Sequence, residues 1–129
     1  MTHDAKDILM ARGFARVDNG GNLVSSKGVV GMTRCTRNGD PINYGAYCFN
    51  LEFTPLAVVA NSIPHPDDNL FTPFGPILYT AGPNLNGVLT TDGIGPVKCP
   101  PGFQDAAVIC YLTGHKLSMA YGGFFALFE

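Results

Sequence analysis

The side chains with metal-binding or nucleophilic chemistry are four cysteines, Cys35, Cys48, Cys99 and Cys110, and three histidines, His3, His65 and His115. No C-x-x-C pair occurs, which argues against a zinc ribbon or a thioredoxin-type site. Four cysteines permit three pairings, and spacing alone does not choose among them. Cys110 lies inside the apolar run Ala106–Leu112 and suits a buried reduced thiol, because free cysteine packs as a small hydrophobe. Cys48, on the polar face of its segment, and Cys99, in the loop Lys98-Cys99-Pro100-Pro101-Gly102, suit a disulfide better; Cys35–Cys110 is the less favoured second pairing. A bridge implies an oxidising final environment.

Catalytic frames are missing around these residues. A nucleophilic cysteine needs a helix N-terminus, a glycine elbow or a neighbouring base to lower its pKa, and no such frame surrounds any of the four. His65-Pro66-Asp67-Asp68-Asn69 offers nitrogen and oxygen ligands, but neither an EF-hand loop nor an H-E-x-x-H pattern organises them, and a solvated loop is the simpler reading. Ser25-Ser26-Lys27-Gly28 lacks the preceding glycines of a phosphate loop. The expectation is a chain with no catalytic residues, no metal and no cofactor.

Binding is the better class. Asp67, Asp68, Asn69, Phe71, Phe74, Tyr79 and Asn84 combine rings that could stack on a sugar or a protein with groups that could hydrogen-bond to it. The alternative is that the rings plug one end of the domain. Ile8, Leu9 and Met10 make a short apolar face near the start. Phe124, Phe125 and Phe128 belong to a terminal strand that is apolar on both faces, which suits a sheet centre or a subunit interface. These six are the candidate assembly residues.

The elements that must position these groups are mostly strands. Asp4–Gly13 is the helix candidate, capped by Thr2 or Asp4 and stopped by Gly13, and residues 1–13 read as a docking arm. Phe14–Val17 alternates, Asp18-Asn19-Gly20-Gly21-Asn22 is a turn, and Val29–Cys35 is rich in β-formers. Arg37–Pro41 is the next turn. Tyr44–Phe53 has the cleanest period of two, with Tyr47, Phe49, Leu51 and Phe53 on one face and Cys48, Asn50 and Glu52 on the other. Leu56–Ala60 reads as a short buried strand. Residues 61–98 form a Pro-rich excursion with brief strands at 77–80 and 87–91. Ala106–Leu112 and Gly123–Phe128 close the pattern, with a turn at Thr113-Gly114-His115. The sum is one antiparallel all-β domain over 14–129, a β-sandwich of jelly-roll or immunoglobulin-like type.

Composition agrees. The 129 residues include 16 glycines and 10 prolines with no collagen period, and 46% are hydrophobic, too many for disorder. No apolar run approaches the ~20 residues of a membrane-spanning helix, and the polar start shows no signal peptide. Only 14% of residues are charged, with a formal net charge of −2. The chain has no basic stripe of the kind nucleic-acid binding needs. So few charges on a small domain suggest a surface covered by partners, most simply by copies of itself.

Three stretches carry a resemblance: Phe14-Ala15-Arg16-Val17 with Gly21-Asn22-Leu23-Val24, then Lys27-Gly28-Val29, then Gly45-Ala46-Tyr47-Cys48-Phe49-Asn50-Leu51. With the later Cys99, the strand Asp105–Ile109 and the aromatic end Gly123–Phe128, they resemble a small β-sandwich module of actinobacteria and their phages. The chain differs from that module in a longer excursion at 61–98 and in the additional Cys35 and Cys110. The resemblance implies a non-enzymatic β-domain appended to tail-fibre-like or collagen-like surface proteins, displayed at a surface and trimeric. The expected function is therefore a structural or adhesive protein of a virion or extracellular particle (a tail-fibre, decoration or surface domain). It would assemble through apolar interfaces and contact a host surface or other particle subunits. The alternative is a secreted or cell-surface carbohydrate-binding domain.

Overall fold

The computed structural model describes residues 11–18, 20–42, 45–63, 77–81, 97–112, 115–119 and 123–129. Their regular structure is all strand, in antiparallel sheets. One sheet contains β1 (Gly13–Val17), β2 (Leu23–Lys27), β7 (Val58–Ile63) and β11 (Gly123–Phe128), in the order β2-β1-β11-β7. The second contains β3 (Val29–Arg34), β6 (Ala46–Leu51), β8 (Ile77–Ala81), β9 (Ala106–Leu112) and β10 (His115–Met119). Its order is β10-β9-β6-β3, with β8 also paired to β9. A hairpin of β4 (Thr36–Arg37) and β5 (Asp40–Pro41) forms a separate two-stranded sheet. Asn38 (φ 54°) and Gly39 (φ 84°) form its two-residue loop, and positive φ at both positions is what a type I′ turn requires.

The two larger sheets share a core whose content follows from period-two alternation. Tyr47, Phe49 and Leu51 of β6 and Ala106, Val108 and Cys110 of β9 point into it. Ala15 and Val17 of β1 and Phe124, Ala126 and Phe128 of β11 meet them from the other sheet. Rings dominate the contact: Phe49 lies 5.2 Å from Phe128 and 6.4 Å, edge-on, from Phe124, while Tyr47 lies 5.6 Å from Phe124. Aromatic pairs at such separations contribute beyond the area they bury. The terminal strand β11 runs between β1 and β7, in a sheet centre, which accounts for its doubly apolar sequence.

Alternation on β6 goes further than the sequence suggested. Its second face is not solvated: Ala46 and Cys48, with Ala107 and Ile109 of β9, lie in a second buried cluster with Cys35, Ile42, Val97 and Cys99, against which Phe103 packs. The cover consists of residues 35–42 and 97–105. Paired backbone hydrogen bonds between Thr36 and Lys98 (2.8 and 2.9 Å) join its two segments, and it is fastened to β6 by the Leu51 N–H donating to the Asp105 carboxylate (2.8 Å) and by the Asp105 N–H donating to the Phe49 carbonyl (3.1 Å). The central strands of this sheet are therefore buried on both sides.

Other boundaries differ from expectation. Gly13 opens β1 rather than closing a helix, because it pairs with Phe128; residues 1–10 lie outside the described set, and the rest of the helix expectation with them. Leu56 is 85% exposed and precedes β7 instead of belonging to a buried strand. His115, read as part of a turn, begins β10.

Gly28 is the joint between β2, at the edge of one sheet, and β3, at the edge of the other. Its φ is +72°, and a Cβ there would sit 2.9 Å from the Phe53 ring and 3.0 Å from the Arg12 carbonyl oxygen. A side chain at this φ costs roughly 1–2 kcal/mol in an L-residue before any clash. Gly28→Ala should therefore lower the urea midpoint of unfolding by an amount equivalent to at least that cost; an unchanged midpoint would refute it.

Candidate functional site

The cysteines come together at one place. Cys48 on β6 and Cys99 in the cover form a disulfide, with Cα atoms 5.7 Å apart. Alternation places Cys48 on the outward face of β6, and the Thr36–Lys98 bridge holds the 97–99 segment over it. The less favoured pairing, Cys35–Cys110, is not formed: both are free and buried. The reason is geometric, since Cys35 lies in the outer cluster and Cys110 in the main core, on opposite faces of the same sheet.

Cys35 instead sits beside the bridge. The sulfurs of Cys35, Cys48 and Cys99 all lie within 4.8 Å of one another. Three thiolates so placed would suit a thiophilic cation, but the disulfide ties up two of the three sulfurs in this form. Neither free thiol is built as a nucleophile. Burial pushes the Cys35 thiol far above the ordinary cysteine range, and burial pushes Cys110 up to about 12. Thiolate is the reactive form, so both are inert in the closed fold.

A second feature is a cleft of about 400 Å³ lined by Gly21, Met32, Thr33, Arg34, Pro41 and Tyr47. Gly21 lines one side, in a turn held by the Asp18 carboxylate, which accepts from the N–H groups of Gly20 and Asn22 at 2.9 Å each. The Asn22 N–H is first among the causes that hold the Asp18 pKa below the usual carboxylate value. The Arg34 guanidinium lies 5.8 Å from the centre of the Tyr47 ring, within cation–π range. Tyr47 itself is buried, and burial raises its phenol pKa, so its ring is a floor of the cleft rather than a displayed stacking platform. Nearby in sequence, Arg37 has Nε and one terminal nitrogen buried with no hydrogen-bond acceptor among the described residues.

A third feature is an apolar edge. All five residues of β2 are exposed, and among the described residues β1 is its one strand neighbour. Leu23 and Val24 (53% exposed) project from it. Val30 is the extra residue where the β3–β6 register shifts between Val29 and Gly31, and it is 62% exposed. Bulges of this kind turn a side chain outward at a sheet edge.

The other sequence candidates fall as follows. Asp67, Asp68, Asn69, Phe71, Phe74 and Asn84 lie outside the described residues, as do Ile8, Leu9 and Met10. Tyr79 is in β8, where its backbone pairs with Ile109. Of the terminal aromatics offered as assembly residues, Phe124 and Phe128 are fully buried in the chain's own core. Phe125, on the opposite face, is half-buried and stacks on Phe14 at 5.7 Å. Sequence reasoning missed Val97 and Phe103 as outer-core residues, Val30 as an exposed bulge, and Arg34 with Tyr47 as cleft residues; the nearest signal was the outward Cys48. No known protein family, curated protein or solved structure matches the chain.

Proposed function

We propose that this chain is a non-enzymatic structural or adhesive β-sandwich domain of a virion or extracellular particle, of the kind the actinobacterial and phage module represents. It assembles with copies of itself, three being the expected number, and with other particle subunits. Two antiparallel sheets facing across one core support the sandwich reading, whether jelly-roll or immunoglobulin-like. The disulfide supports an oxidising destination. The observation that carries the assembly reading is the β2 edge, where β1 is the one strand neighbour among the described residues, with Leu23 and Val24 exposed on it and the bulged Val30 exposed on the edge strand of the other sheet. Natural sheets protect such edges with charge, proline or a partner, and Lys27 is the single charge on this strand. A strand edge from a second copy would pair with the outer backbone groups of β2, which no other described strand pairs, and cover Leu23 and Val24.

The mass in solution tests this reading. The wild-type chain should be larger than one protomer by light scattering, and the double variant Val24→Lys/Val30→Lys should shift to a single protomer while keeping its β-sheet circular dichroism. A wild-type chain that stays monomeric into the high micromolar range would sink the proposal. The Arg34 cleft favours the second reading, a secreted or cell-surface carbohydrate-binding domain. Glycan binding by the monomeric chain, lost in Arg34→Ala, would move the assignment there.

A further inference from the structure

We propose that Cys35 is a third partner of the disulfide, and that the bridge exchanges between Cys48–Cys99 and Cys35–Cys99. Thr36 and Lys98 exchange both backbone hydrogen bonds, so they form the hydrogen-bonded pair of an isolated antiparallel bridge. Continuing that pairing by one residue sets Cys35 opposite Cys99 as a non-hydrogen-bonded pair, for which Cα atoms about 4.5 Å apart are typical, and their sulfurs lie within 4.8 Å. That separation lies within the roughly 4.4–6.8 Å span of disulfides. Cys35 and Cys48 are differently related. Thr33 faces Cys48, and the Cys35 N–H donates to the Ala46 carbonyl, so Cys35 and Cys48 are diagonal neighbours, about 7–8 Å apart and outside that span. Cys99 is thus the shared sulfur, with Cys48 and Cys35 as its two alternative partners.

The exchange balances without an outside oxidant or reductant. The Cys35 thiolate attacks the Cys99 Sγ, the Cys35–Cys99 bond forms, and the Cys48–Cys99 bond breaks. Cys48 leaves with the electron pair and takes up the proton that Cys35 released. One disulfide and two thiols stand on each side. Cys35 is fully buried, so the closed fold keeps its thiol protonated and the exchange slow; lifting of the 97–105 segment admits water and starts it. The result moves the covalent tie of the cover from β6 to the segment leading into the hairpin beside it, while the Asp105 hydrogen bonds to β6 stay.

Disulfide mapping by mass spectrometry on acid-quenched, alkylated full-length chain tests this. Cys48→Ser should fold with Cys35 and Cys99 bridged and one alkylatable thiol, Cys110. Cys99→Ser should show no bridge and three thiols, and Cys110→Ser should keep the wild-type bridge. A folded Cys48→Ser chain in which Cys35 and Cys99 are both alkylated overturns the proposal. Should Cys48→Ser fail to fold, wild-type chain held in sub-denaturing urea decides. A Cys35–Cys99 peptide that appears there, and is absent from Cys35→Ser, supports exchange; Cys48–Cys99 as the sole bridge throughout refutes it.

Discussion

Cys99→Ala should destabilise the chain by about 4 kcal/mol, the loss expected when a cross-link of this loop length is removed from the unfolded ensemble. The two cysteines are separated by 51 positions, so the bridge restricts a large part of the unfolded chain. Domains of this size have total stabilities of about 5–15 kcal/mol, so the change takes away a large fraction of the whole. Two native effects add to it. The Cys48 thiol loses its partner inside the outer core, and the 97–105 cover is left to the packing of Val97 and Phe103 and its hydrogen bonds to Thr36, Phe49 and Leu51. Urea denaturation of Cys99→Ala beside wild type measures the effect, and wild type unfolded with a dithiol reductant should show a comparable loss. Cys48→Ala should lose less, because Cys35 remains in reach of Cys99. Equal midpoints for Cys99→Ala and wild type would mean that the bridge contributes nothing.

Phe124→Ala is the second large effect, with an expected cost of about 3–5 kcal/mol for truncating a buried phenylalanine. Phe124 is fully buried at the centre of its sheet and touches the rings of Tyr47 and Phe49 from the facing sheet. Removing it opens a cavity between two sheets whose backbones are held by ladders on both sides, so little collapse can fill it. The thermal midpoint should fall by roughly 10–20 °C, the shift such a loss produces in a domain of this size. Phe125→Ala provides the comparison one residue away. That ring is half-buried and stacks on Phe14 on the opposite face, so its loss should shift the midpoint far less. If the two variants melted together, the assignment of Phe124 to the core would fail.

Local alternation carried much of the main core. Tyr47, Phe49 and Leu51 are spaced by two on a segment bounded by turn residues, and that pattern needs no knowledge of what lies opposite. The turn at Arg37–Pro41 was legible for a similar reason, since Asn38-Gly39 suits a tight loop through its own backbone preferences. The outer core was not legible. Cys48 and Ala46 are buried by Val97, Cys99 and Phe103, which lie some fifty residues away, and no local period announces a cover of that kind. The same limit explains the terminal aromatics. A doubly apolar strand fits a sheet centre and a subunit interface equally well, and only the neighbours of β11 decide in favour of the centre. Leu56 failed in the opposite way: an apolar residue next to a real strand took its burial from its neighbours' pattern, whereas the strand begins at Val58.

The burial of β6 on both sides has a consequence for how the chain finds its alignment. A strand with one wet face can slide by one residue and lose a single set of contacts. If β6 slid by one, Cys48 would enter the aromatic core, Tyr47 and Phe49 would be forced under the cover, and two sets of packing would fail together. The cross-link then serves as a proofreading device. Cys99 meets Cys48 when β6 lies in its native alignment and faces away when it is displaced by one, so oxidation preserves the correctly aligned chain. Cys35, placed within reach of the same sulfur, gives a prematurely closed bridge a way to reopen and try again.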